Sequence, residues 1–222
     1  MNRRLTCVAA AVALALAAPG IAMTAEVRAS DDPDLDEVVV YGRGERLIGE
    51  ARAASEGTVG GADLGVRPLL RVAELLEVVP GLIAAQHSGS GKANQYFLRG
   101  FNLDHGTDFA AYVDDVPMNL RTHGHGQGYL DVNGLIPELV ERIDFRKGPY
   151  RADIGDNALA GASFLTTIKR FDRPFVSVEG GQYGWIRAAA GGTHEMGGGE
   201  LTGIAQWKSY DGSETGDRER RS

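Results

Sequence analysis

Across 222 residues the chain sets 23 Lys and Arg against 30 Asp and Glu, a formal charge of −7, with 43 % apolar residues. That balance excludes a nucleic-acid surface, global disorder and a helical membrane bundle, and it leaves room for one or two domains. Glycine, at 31 residues, is roughly twice its average usage of about 7 %, which favours β-rich structure with many turns and close backbone approaches.

Residues 1–25 read as a secretory signal peptide. Arg3 and Arg4 open it, an apolar stretch from Val8 to Ala18 follows, and Pro19-Gly20 breaks it. That stretch is too short for a spanning helix, which needs about 20 residues. Cleavage fits after Ala22 or after Ala25. The only cysteine, Cys7, lies inside this segment, so the mature chain offers neither a disulfide nor a thiolate ligand. Residues 26–65 hold few large apolar side chains and read as a flexible N-terminal segment. Within it, residues 36–42 form an extended run around Glu37, Val38, Val39, Val40 and Tyr41, bounded by an acid and Gly42.

From Pro68 to Pro80 the apolar positions Leu69, Val72, Leu75, Leu76 and Val79 carry helical spacing, with one proline at the first turn and the other at the stop. Residues 139–170 organise the chain. An apolar run through Val140, Ile143 and Phe145 meets the Gly148-Pro149 breaker, a loop with Gly155 and Gly161, and a second run from Phe164 to Ile168. Beyond residue 174, Glu200 to Tyr210 alternates. Leu201, Gly203, Ala205 and Trp207 face one way, and Glu200, Thr202, Gln206 and Lys208 the other. Val176, Val178, Ile186, Ala188 and Ala190 form a weaker stripe interrupted around residues 180–184, and residues 196–199 would turn the hairpin.

Catalytic motifs fail on inspection. Gly89-Ser90-Gly91-Lys92 would need Gly at Gln86 and Ser or Thr at Ala93 to cradle a phosphate. No Ser or Cys sits in a nucleophile elbow, so the chain reads as no enzyme and no cofactor is implied. Four of the five histidines, His87, His105, His123 and His125, crowd between residues 87 and 125, near Asp104 and Asp108. Either they hydrogen-bond in a solvated Gly-rich loop, or they supply neutral imidazole ligands to a metal.

Four motifs in order carry a resemblance. Leu76-x-x-x-Pro80-Gly81-Leu82, Leu98-Arg99-Gly100-Phe101, Tyr112-Val113-Asp114-Asp115-Val116-Pro117-Met118 and Glu141-Arg142-Ile143-Asp144 with Gly148-Pro149 and Thr167-Ile168-Lys169 resemble the plug domain of TonB-dependent outer-membrane receptors. Asp115 replaces a usual glycine, Lys147 a usual arginine, and Ser163-Phe164-Leu165 a usual G-x-I-N. The resemblance implies an α+β fold: a plug over residues 66–170 with a small mixed sheet and short helices, then an incomplete antiparallel transmembrane β-barrel segment over residues 174–222. About 22 strands would close such a barrel, so the chain reads as the N-terminal part of a longer receptor, by truncation or by a split gene. It further implies that Glu37, Val38, Val39, Val40 and Tyr41 are the TonB box, pairing by strand addition with a TonB-type periplasmic energy transducer. Arg99, Arg142 and Arg151 become plug–barrel contacts. Asp104, His105, His123 and His125 become a candidate substrate or metal loop. Exported to the outer membrane with its box in the periplasm, such a receptor would import a scarce small nutrient, a metal ion or a metal chelate. The alternative is a soluble periplasmic binding module using a plug-like fold.

Overall fold

The computed structural model describes residues 51–86, 92–212 and 219–221. The signal peptide, the Glu37 to Tyr41 run and His87 lie outside the described residues.

Nine strands come first: β1 (Ala51–Ala53), β2 (Glu56–Gly60), β3 (Leu82–Ala85), β4 (Gln95–Leu98), β5 (Phe101–Asn102), β6 (Phe109–Val113), β7 (Val116–Pro117), β8 (Val140–Lys147) and β9 (Gly161–Thr167). Six of them form a mixed sheet ordered β1-β2-β8-β9-β6-β7, in which only β6 and β9 run parallel. The others make a three-stranded antiparallel sheet, β3-β4-β5. Helical structure is short: α1 (Gly61–Gly65) and three 3-10 turns at Val72–Val78, Pro137–Leu139 and Ala152–Ile154.

The centre of the mixed sheet is the 139–170 stretch. Val140, Ile143 and Phe145 are all buried, yet Val140 and Ile143 stand three apart, which strict alternation forbids. The β8–β9 register shifts between Val140 and Arg142; this irregularity resets the pleat so that both face the core. Leu165 from β9 and Phe109 from β6 join them, with Leu75, Leu76, Tyr96, Leu103 and Leu130 closing the same cluster. Each such large side chain contributes about 1.5–3 kcal/mol on burial, so this cluster stabilises the unit.

Two local expectations change. The run from Pro68 is not one helix: a 3-10 turn begins only at Val72, after Arg71 in extended conformation. The Glu74 carboxylate accepts the backbone N–H groups of Leu70 at 2.8 Å and Arg71 at 3.2 Å, capping the turn at that point. Three β-branched valines in Val72–Val78 and at Val79 also weaken a longer α-helix. Second, the polar segment does not stay a tether to residue 65. From Ala51 it enters the sheet, with Thr58 opposite Asp144 and Val59 opposite Ile143. Those gains are backbone pairing, which needs no apolar side chains.

Four further strands follow, β10 (Phe175–Gly180), β11 (Ile186–Met196), β12 (Glu200 lies in Gly199–Tyr210) and β13 (Glu219–Arg221), forming a separate antiparallel sheet. The β11–β12 turn falls where expected: Gly197 and Gly198 both take positive φ, at 61° and 83°, which suits a two-residue hairpin. The weaker stripe resolves into two strands, because Gly181 and Trp185 close a turn between β10 and β11, N–H to carbonyl at 2.8 Å. β13 adds a second partner for β12, with Glu219 opposite Tyr210. Val176, Val178, Ile186, Leu201 and Trp207 are exposed on one face, while Arg187, Thr202, Gln206 and Lys208 are partly covered on the other.

Candidate functional site

His105 sits in the turn between β5 and β6, and the fold pulls it inward. Tyr96 on β4 pairs on through this turn, its N–H reaching the Asp104 carbonyl at 2.8 Å, and Leu130 donates to the His105 carbonyl at 2.7 Å. Gly106 follows with φ +99°, and a Cβ there would stand 2.3 Å from the Leu130 Cβ, so a side chain is not accommodated. The imidazole is 2 % exposed, with Nδ1 3.1 Å from the Asn94 carbonyl. A carbonyl only accepts, so Nδ1 carries a proton and donates it there. Asp104, left-handed at φ +48°, brings Oδ1 to 3.7 Å from that Nε2.

The Gly-rich loop returns on itself, with Leu120 and Tyr129 bridged and the Leu120 N–H 2.9 Å from the Tyr129 carbonyl. Inside it, the two histidines part company. The His123 ring stacks on Tyr129 at 4.0 Å and 10°, its Nδ1 accepting the His125 backbone N–H at 3.1 Å. The His125 ring stands edge-on to His105, centroids 4.7 Å apart. Asp104, His105 and His125 consequently each offer a ligand atom, all within 4.8 Å of one another. Three of the four loop residues singled out by the sequence converge, and His123 does not. Partial desolvation, then the nearby Lys92 ammonium, hold the His125 imidazole below its ordinary pKa. Sequence reasoning missed Tyr129, whose hydroxyl accepts the Ala93 N–H at 2.8 Å and whose ring seats His123. Its place at the end of a Gly-rich histidine run was the available signal.

Of the arginines assigned to plug–barrel contact, Arg142 pairs with Asp144 at 3.0 Å on its own strand and Arg151 with Glu56 at 3.5 Å. Arg99 is exposed in the β4–β5 turn at φ +53°. Arg170 at the end of the plug pairs with Glu200 of β12, and a fork of the opposite polarity also joins plug to hairpin. Arg187 of β11 donates through both terminal nitrogens to Glu138 of the plug, at 2.7 and 2.6 Å, and also reaches Glu179 at 2.8 Å. This pair borders a cleft of about 890 Å3 between the two, lined also by Arg67, Trp185 and Lys208.

Desolvation pushes the Glu138 carboxyl up, but the hydrogen bonds and charge of Arg187 outweigh it and hold the group below the usual carboxylate range. The linkage sign follows. This stabilisation is fully present above the unfolded carboxylate pKa of about 4.3 and is lost as pH falls through the lower folded value. With the Arg187 side chain 11 % exposed and that of Glu138 29 %, Glu138→Gln is expected to cost about 2 kcal/mol, below the ~3–5 kcal/mol of a fully buried pair. Urea midpoints at pH 7 and pH 3 check this: the variant should lag the wild type at pH 7 and approach it at pH 3. Equal midpoints at pH 7 would mean that the fork holds nothing.

With this geometry in view, the comparisons with known proteins give a family. The model for the TonB-dependent Receptor Plug Domain matches residues 50–162, just over half of the chain. The chain belongs to that family. Among solved structures, a mutant of the ferric enterobactin receptor from Pseudomonas aeruginosa in complex with enterobactin is similar at TM-score 0.54 and 19 % identity, over 73 % of this chain and 26 % of that one. The ferric yersiniabactin uptake receptor from Yersinia pestis is similar at TM-score 0.51 and 21 % identity, over 70 % and 24 %. A siderophore receptor from Pseudomonas aeruginosa reaches TM-score 0.51 at 19 % identity, over 77 % and 31 %. At these identities the likeness is one of fold: a plug with a mixed sheet and few short helices, then antiparallel strands whose barrel is not closed. The chain spans about a quarter to a third of the length of these receptors.

Proposed function

We propose that this chain is the plug and first barrel strands of a TonB-dependent outer-membrane receptor that takes up a siderophore or other metal chelate. One observation carries the reading. The β10–β12 sheet is apolar on its outer face, while its polar face is clasped to the plug by Arg187 and Glu138. Apolar-out, polar-in strands of about ten residues suit a lipid-facing barrel wall around a plug. The matched structures, named for ferric enterobactin, ferric yersiniabactin and siderophores, support the cargo class.

In this reading residues 1–25 export the chain, and Glu37, Val38, Val39, Val40 and Tyr41 are the box that a TonB-type transducer takes up as an added strand. Residues 66–170 plug the lumen and residues 174–222 begin its wall. Arg99, Arg142 and Arg151 face further wall, and the loops bearing Asp104, His105, His123 and His125 meet the cargo. The chemistry is binding and gating rather than bond-making.

Fractionation tests it. Exported from its own signal, the full chain is expected in the outer-membrane fraction, released only by detergent. A monodisperse product in detergent-free periplasmic extract would overturn the proposal in favour of a soluble binding module, because an exposed apolar sheet with open edges aggregates in water.

A further inference from the structure

We propose that Asp104, His105 and His125 form a binding site for a bare divalent transition-metal ion, with two imidazole nitrogens and one carboxylate oxygen as ligands. This deepens the receptor reading, on which its role as a cargo contact rests, but metal binding itself is measured without transport.

The three groups differ in a way that suits ligation. His105 is buried and oriented, because its Nδ1–H is held by the Asn94 carbonyl 3.1 Å away, which turns Nε2 toward Asp104. A histidine ligand anchored through its other nitrogen is the usual outer-shell arrangement of metal sites. Asp104 and His125 are exposed and can turn about that fixed donor. Tetrahedral ligands at about 2.1 Å from an ion stand about 3.4 Å apart. Closing from within 4.8 Å is therefore a shift of at most about 1.4 Å, on the scale of side-chain rotation in the two exposed groups. Gly126 leaves room for it, since a Cβ there would be 4.0 Å from Asp104 Oδ2. Two nitrogens and one oxygen without thiolate suit Zn(II) or Cu(II), Cu(II) binding the tighter. Three protein donors leave a fourth position for water or for an oxygen of a chelate.

His123 stands outside the ligand set. It lies two residues from His125 in the same loop, but its ring stacks on Tyr129 and its Nδ1 accepts a backbone N–H. The probe is Zn(II), titrated calorimetrically into the full chain, produced without a histidine tag, held in detergent and stripped of metal. One Zn(II) per chain is expected. His125→Ala should weaken it at least tenfold and Asp104→Asn, which keeps a residue tolerant of positive φ, severalfold. His194→Ala, at an exposed position on β11, should bind within twofold of wild type. Circular dichroism of the His125→Ala chain should match wild type, because that side chain is exposed. Wild-type affinity in His125→Ala, or an equal loss in His194→Ala, would overturn the site. Neither result bears on outer-membrane fractionation, so failure of the metal site and failure of the receptor reading are separately visible.

Discussion

Val39→Pro in the full chain is expected to cut binding to the soluble domain of a TonB-type transducer by thirtyfold or more, while Val39→Ile binds within twofold of wild type. Strand addition draws its affinity from main-chain N–H and C=O groups, with side chains adding register. Proline removes one of those donors and fixes φ near −65°, away from extended strand values. A lost ladder bond with the accompanying misfit is on the order of 2 kcal/mol, which converts to that factor. Isoleucine keeps both backbone groups and the β-branched preference for strand. Calorimetric titration of transducer domain into each chain reads the difference. Binding of the proline variant at wild-type strength would remove Glu37, Val38, Val39, Val40 and Tyr41 from the coupling role.

Asn119→Ala is expected to destabilise the plug by about 3 kcal/mol. Asn119 is buried, and its Oδ1 accepts the Ala111 N–H at 2.9 Å. Its amide donates to the carbonyls of Gly106, Phe109 and Gly128 at 2.9 to 3.0 Å. One side chain thus ties β6 to the turn carrying His105 and to the end of the histidine loop. Alanine would strand several buried backbone groups, each costing about 1–3 kcal/mol, less what an entering water restores. Zn(II) affinity should fall alongside the urea midpoint, because Gly106 and Gly128 bracket the loops that present His105 and His125. A loss below about 1 kcal/mol would show that these loops are held by packing instead.

What was legible in the chain was what depends on neighbours in sequence. Alternation with Gly-Pro punctuation located β8 and β9, and the Gly197-Gly198 pair located the hairpin turn. Four motifs in order were enough to indicate the family that the plug match then showed. Even Asp115, where a glycine is usual, is explained locally: it takes φ +66°, a conformation that Asp tolerates better than most residues.

Long-range pairing was not legible. Residues 51–60 carry little apolar signal, yet they form β1 and β2 because β8 offers them a free edge some 86 residues away, as the Thr58 hydroxyl on Asp144 illustrates. Arg187 and Glu138 are 49 residues apart, and no local pattern distinguishes this arginine from Arg142 or Arg151. The histidine set shows the same division. Sequence by itself determined that Asp104, His105, His123 and His125 lie in Gly-rich connections, where backbone freedom lets imidazoles turn either way. Only the tertiary structure decided which ones meet, because Tyr129 captures the His123 ring by stacking while the Asn94 carbonyl fixes His105 facing His125 and Asp104.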